Sequence, residues 1–191
     1  MKILAFAASN SQRSINGQLI AYATRLLEGG LVNEVAVETI DLNDFEMPIY
    51  SVDRQNDSGI PDLAQQLFSK IGSCDAILIS FAEHNGHYTA AYKNIFDWMS
   101  RIDMRVYQDK PTVMLSTSPG RGGGSNVLEA AVESGVFFGN TVLASLSIPS
   151  FSHNFDSDAQ ILTNPELDAE LRTALASFAE VSLDDDGSVA H

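Results

Sequence analysis

The sequence predicts an α/β fold: one parallel five-stranded sheet with helices on both faces. Three observations predict it. Short apolar runs suited to strands buried on both faces alternate five times with segments of helical apolar spacing. The opening stretch, Lys2 to Leu27, reads as a buried strand, a hydroxyl- and amide-rich turn and a helix. The chain has 191 residues, enough for one full core, and no repeat or linker divides it.

The first strand is Lys2 to Ala8, followed by a helix with apolar residues at Leu19, Ile20, Ala23, Leu26 and Leu27. Strand two is Val35 to Ile40. Pro48 holds Met47 out of helix, so Phe45 to Tyr50 reads as an extended loop. Asp53 to Gly59 reads as polar and exposed. Pro61 suits a first helical turn, and Leu63, Ala64, Leu67, Phe68 and Ile71 form that helix's stripe. Strand three is Ala76 to Phe81. A helix from about Thr89 to Ser100 follows, with Tyr92, Ile95, Phe96 and Met99 on one face. Strand four is Pro111 to Ser116, and its helix carries Val127, Leu128, Ala131 and Val132. Strand five is Thr141 to Leu146. The last helix starts near Pro165, with Leu167, Leu171, Leu175 and Phe178 inward. Residues 1–181 are expected to form one domain. The acidic stretch 182–191 reads as a disordered tail.

Right-handed crossovers leave few strand orders. The order 2-1-3-4-5, the flavodoxin-like three-layer arrangement, is the one expected. It places ligands beyond the carboxyl ends of strands one and three, as flavodoxin itself does. The loops after strands one, three and four are therefore the candidates for chemistry.

The first loop runs through Ser9, Asn10, Ser11, Gln12, Arg13, Ser14, Ile15 and Asn16. Free N–H groups and the positive end of the helix dipole gather at a helix start, and hydroxyls with an arginine beside them suit a phosphate. Ser14 and Asn16 could equally serve as helix caps. The loop has neither G-x-G-x-x-G nor a Walker A pattern, so a terminal phosphomonoester fits better than a bridging pyrophosphate. The second loop, Ala82 to Thr89, carries Glu83, His84, Asn85, Gly86 and His87. The two histidines have no clear third metal ligand, so no metal is expected. The third loop, Ser116 to Asn126, includes Ser118, Pro119 and glycines 120, 122, 123 and 124, which let the chain pass close under a planar ring. A phosphate clamp at one end and a flat slot at the other match the shape of FMN.

Acidic residues number 25 against 11 basic ones, a formal charge of −14. That balance argues against nucleic acid as a partner. The chain has no apolar run long enough for a transmembrane helix. It starts directly with a strand, without the layout of a signal peptide, and has one cysteine, Cys74, which reads as a small buried residue. Cytoplasm is the expected compartment.

The chain resembles the NADPH-dependent FMN reductase family from Lys2 to about Glu180. The family's G-S-x-R-x-x-S-x-N is met at Ser9, Ser14 and Asn16, with Ser11 where arginine is usual and Arg13 two residues on. Its D-L…L-P-x-Y is echoed by Asp41-Leu42 and Met47 to Tyr50. Its P-E-Y-N-G…L-K-N-A-I-D-W matches Glu83, Asn85, Gly86 and Lys93 to Trp98, with Ala82, His84 and Tyr92 as departures. Its K-P…S-x-S-P-G-x-x-G-G is met by Lys110-Pro111 and Ser116 to Gly124. The resemblance implies FMN reduced by NADPH or NADH. The acceptor would be a small molecule such as a flavin, quinone, azo dye or metal oxyanion. It also implies that chemistry takes place at flavin N5 with no catalytic side chain, and that backbone groups of Glu83–Gly86 and the glycine turn bind the ring. A homodimer or homotetramer is implied, with the helix around Lys93–Trp98 near the interface. A flavodoxin-like electron carrier and an interaction domain without cofactor are the alternatives.

Overall fold

The computed structural model describes residues 1–184. The strands are β1 (Lys2–Ala8), β2 (Ala36–Thr39), β3 (Ala76–Phe81), β4 (Pro111–Thr117) and β5 (Thr141–Ile148). They form one parallel sheet in the order β2-β1-β3-β4-β5, which is the expected one. Every residue of β3 is buried, as a central parallel strand requires.

Alternation along the strands divides the core into two layers. Ile3, Ala5, Leu78, Val113 and Leu115 pack with Leu19, Ile20 and Ala23 of α1 (Ile15–Leu26) and Leu171 and Leu175 of the later helix Pro165–Ala176. Leu4, Phe6, Ile77, Ile79 and Met114 face the other way, toward Leu67, Ile95, Trp98 and Val127. Those residues belong to the helices Asp62–Gly72, Ala90–Met99 and Ser125–Gly135. In chain order the α-helices of seven residues or more are α1, α2 (Val52–Ser58), α3 (Asp62–Gly72), α4 (Ala90–Met99), α5 (Ser125–Gly135), α6 (Pro165–Ala176) and α7 (Phe178–Asp184). Cys74 is buried at 1 % exposure, and burial pushes its thiol pKa up.

Two local features add to the expected elements. The stretch Asp53 to Gly59 is mostly the helix α2, which buries no residue. It lacks an apolar stripe. Its ends define it instead: the Ser51 hydroxyl accepts from Arg54 N at 3.2 Å, and Gly59 closes it at φ 76°. A small antiparallel pair, Phe155–Asp156 with Ile161–Leu162, interrupts the segment before α6. Of the expected tail, Ser182 to Asp184 fall within α7, and 185–191 lie outside the described residues.

On the β2 edge, Glu38 pairs with both Lys2, at 2.8 Å, and Lys70. Hydrogen bonds from the two ammonium groups hold its carboxyl at about 2, well below its ordinary value. A depressed carboxylate pKa stabilises the fold above the unfolded-state pKa, and that contribution is lost as pH falls through the folded value. Because the pair is partly exposed, Glu38→Gln should cost under about 1 kcal/mol at pH 7. In urea titrations the difference from wild type should shrink between about pH 4.5 and 2, the interval set by the two pKa values.

Candidate functional site

The first, second and third loops leave the carboxyl ends of β1, β3 and β4, three adjacent strands. Asn16 explains how they are held together. It is 2 % exposed, and its side chain points into the protein. Its Oδ1 accepts from the Ser80 hydroxyl at 2.7 Å and from Thr117 N at 3.0 Å, while its Nδ2 donates to Thr117 O at 3.1 Å. The start of α1 is thereby fixed to the ends of β3 and β4. The Thr117 hydroxyl continues the chain of contacts by donating to Ile148 O at the end of β5.

Around that clamp the first loop is largely exposed. Ser14 caps α1, its Oγ accepting from Gly17 N at 3.1 Å. The helix start therefore keeps the N–H groups of Ile15 and Asn16 without intrahelical partners. Ser9 is buried, and its Oγ accepts from Ser11 N. Ser11, Gln12 and Arg13 are exposed. Arg13 takes no ion pair among the described residues. A cleft of about 580 Å³ opens against this loop and includes Ser9, Ser11, Arg13 and Ser14. This donor set fits a phosphomonoester: hydroxyls, free amides and an unneutralised guanidinium.

The second loop is a tight hairpin, Glu83–His84 paired with His87–Tyr88. Asn85 and Gly86 form its tip with φ of 52° and 80°, the two positive values of a type I′ turn. His84, Asn85, Gly86 and His87 are exposed. The Glu83 side chain, in contrast, is used inside the protein. Its Oε2 accepts from Val127 N at 3.0 Å, and its Oε1 accepts from the Asn126 amide at 3.4 Å. Gly124, the N-cap of α5, has no side chain to offer, so Glu83 caps that helix from another loop. This fastens the hairpin to the glycine turn.

The glycine turn is also directed differently from the sequence expectation. Gly123 and Gly124 are buried against the protein's own strands, with φ of 60° and 78°. A Cβ on Gly123 would strike Ser147 Oγ and come within 2.9 Å of the Ile148 carbonyl carbon. Its glycine requirement therefore comes from internal packing. Gly123 O accepts from the Ser116 hydroxyl at 2.8 Å, Gly122 O from the Ser147 hydroxyl, and Gly120 O from Ser150 N. With the carbonyls engaged, the exposed part of the turn presents Pro119, Gly120, Arg121 and Gly122. Ser118 is half-buried, its hydroxyl donating to Gly120 O at 3.4 Å. Arg121, like Arg13, forms no ion pair among the described residues. Sequence reading did not single it out, although an arginine inside a glycine run stands out in so acidic a chain.

Among the described residues no group of three or more His, Cys, Asp or Glu could hold a metal ion. No helix among them is long and apolar enough to cross a membrane. The buried hydroxyls of Tyr92 and Tyr107 share a hydrogen bond of 2.9 Å beneath the hairpin. Burial raises both pKa values, so both stay neutral in the working range.

Among known proteins, the chain is 30% identical over 124 residues to an NADPH:quinone oxidoreductase of Arabidopsis thaliana, covering 65% of this chain and 61% of that one. It is 28% identical over 123 residues to an NAD(P)H-dependent FMN reductase of Pseudomonas aeruginosa, covering 64% and 63%. The matched stretch thus spans under two thirds of each of these relatives. Among solved structures, the flavoenzyme NAD(P)H:(acceptor) oxidoreductase of Paracoccus denitrificans superposes with a TM-score of 0.77 at 21% identity, covering 95% of this chain and 97% of that one. A flavodoxin of Pseudomonas aeruginosa superposes with 0.54 at 13%, covering 95% and 98%. Both likenesses show the flavodoxin-like fold. Residues 1–153, which contain all three loops, match the family model described as NADPH-dependent FMN reductase, and the chain belongs to that family.

Proposed function

We propose that the protein is an FMN-dependent NAD(P)H oxidoreductase that passes reducing equivalents to a quinone, flavin or similar small acceptor. The observation that carries this reading is the first loop. It is a hydroxyl-rich helix start with an unneutralised Arg13, held by Asn16 against the strand ends that carry the hairpin and the glycine turn. Ser9, Ser11, Arg13 and Ser14, with the amides of Ile15 and Asn16, would hold the phosphate. His84, Asn85, Gly86, Ser118, Pro119 and Gly120 would border the ring. The side chains of Asn16 and Glu83, and Gly123 as a whole, act at one remove by fixing the loops. When bound, FMN supplies the hydride chemistry at its N5; the protein contributes position and electrostatics.

The printed names of the Arabidopsis and Pseudomonas relatives support this reading, as does the family description. The reading extends to assembly and compartment. An apolar groove of about 550 Å³ lies between α4 and α5, beside Met104 and Phe137, which are 53% and 78% exposed. A second copy covering this groove would make a homodimer, the building block of a tetramer; sedimentation of the purified protein at micromolar concentration checks it. The single cysteine supports the cytoplasm.

Fluorescence titration tests the cofactor assignment. FMN should bind at least about tenfold more tightly than FAD, since the loop has no fingerprint for a bridging pyrophosphate. Ser11→Ala and Arg13→Gln should each weaken FMN by about 1.5–3 kcal/mol, the usual size of a hydrogen bond to a charged group. Riboflavin affinity should remain unchanged. Equal binding of FMN and riboflavin by the wild type would remove the phosphate clamp from the account.

A further inference from the structure

We infer that the segment Met47–Tyr50, pinned in place by Asn94 and Trp98 of α4, is one wall of the acceptor pocket and selects flat, uncharged rings. The inference rests on the oxidoreductase reading above. Asn94 and Trp98 belong to the Lys93–Trp98 stretch, whose role neither the phosphate clamp nor the ring slot explains.

The segment has no regular structure of its own, yet four hydrogen bonds from α4 fix it. Asn94 Nδ2 donates to the carbonyls of Met47, at 3.1 Å, and Pro48, at 3.2 Å. Asn94 Oδ1 accepts from Tyr50 N at 2.8 Å, and Trp98 Nε1 donates to Pro48 O at 2.7 Å. The Tyr50 ring meets Trp98 edge-on at 5.0 Å, and the Arg101 guanidinium lies over the Tyr50 ring. A loop that merely connected β2 to α2 would need no such hold. At the crest of this rigid segment Ile49 is 74% exposed.

Beside Ile49 lies a cavity of about 190 Å³. Met47 and Ile49 line it together with Asn10 of the first loop and Ala90 and Ala91 of the first turn of α4. It begins one residue beyond Thr89, whose hydroxyl donates to Ala8 O at 3.0 Å and so ties the start of α4 to the end of β1. The cavity therefore sits on the same edge of the sheet as the three loops. Its volume is below the range of about 300–1,000 Å³ usual for larger organic ligands, and it suits one or two fused rings better than a dinucleotide. Its only charged lining residue is Glu46, which disfavours anionic acceptors.

Trp98 is the sole tryptophan, and it sits in the pin, so ligand binding can be read without turnover. Titrating the FMN-loaded protein with 1,4-naphthoquinone should quench Trp98 fluorescence saturably. Ile49→Glu should weaken that binding about tenfold and raise the quinone KM by a similar factor. Asn94→Ala should act in the same direction. Val52→Glu, at an exposed position off the cavity, should do neither. The 2-sulfonate of the same quinone should bind more weakly than the parent, and Glu46→Gln should narrow the gap. Unchanged quinone binding in Ile49→Glu overturns the inference, and so does a slowed reduction by NADPH with quinone binding intact. A wild type that binds quinone saturably but is not reduced by NADPH would refute the oxidoreductase reading and leave the pocket standing.

Discussion

Replacing Asn16 with alanine will destabilise the protein by about 2–4 kcal/mol and will weaken FMN binding at least about tenfold. The substitution leaves the Ser80 hydroxyl and both backbone groups of Thr117 without their partner in a site that is almost fully buried. Each buried group left unsatisfied costs about 1–3 kcal/mol, and partial rearrangement lowers the sum. In a chain of this size the loss should lower Tm by roughly 5–12 °C. The effect on FMN follows because the first loop loses its tie to β3 and β4. Asn16→Asp should fare no better. It keeps the acceptor for Ser80 and Thr117 N but turns a carboxylate oxygen toward Thr117 O and buries a charge. Urea unfolding of the apoprotein and an FMN titration measure the two effects separately. A cost under about 1 kcal/mol, the worth of a surface cap, would mean that the clamp does not carry the load assigned to it.

The second large effect belongs to Gly123→Val. A β-branched residue at φ 60° is strained before any contact is counted. The added Cβ then meets Ser147 Oγ and the backbone of Ile148, which cannot move without disturbing β5. The expected cost exceeds about 3 kcal/mol, and it should appear in the apoprotein. Gly122→Ala is the comparison. There a Cβ would meet only Ser125 Oγ at 3.9 Å, and φ is not in the left-handed region, so apoprotein stability should hardly change. Differential scanning calorimetry of both variants without flavin settles the matter. If Gly123→Val melts like wild type as apoprotein and fails only to retain FMN, the glycine serves the ring and not the packing.

These two residues show what could be read in the chain and what could not. The sheet order was legible because strands buried on both faces and helices with one apolar stripe leave few arrangements. The three loops were legible by position, at the carboxyl ends of adjacent strands. The direction of individual side chains was not. Asn16 and Glu83 resemble ligand residues in sequence, but their partners, Ser80 and Thr117 for one and Val127 N for the other, are 44 to 101 residues away. No local pattern encodes such pairings. Gly123 likewise reads as freedom for a ligand, whereas the space it leaves is filled by β5. The helix α2 went unread because only its capping residues mark it. The Lys93–Trp98 stretch was visible as a motif, but the loop it pins was not.

The claim that most needs testing is direct reduction by a nicotinamide nucleotide. Hydride transfer requires donor and flavin rings at near-attack distance, roughly 3–3.5 Å, over one open face of the site. FMN-loaded protein mixed anaerobically with NADPH, then separately with NADH, should lose its visible flavin absorbance with no reductase added. The absorbance should return on addition of a quinone. Protein that stays oxidised under excess NADPH and NADH, and is reduced only when a separate reductase is supplied, would be an electron carrier and would contradict the account given above.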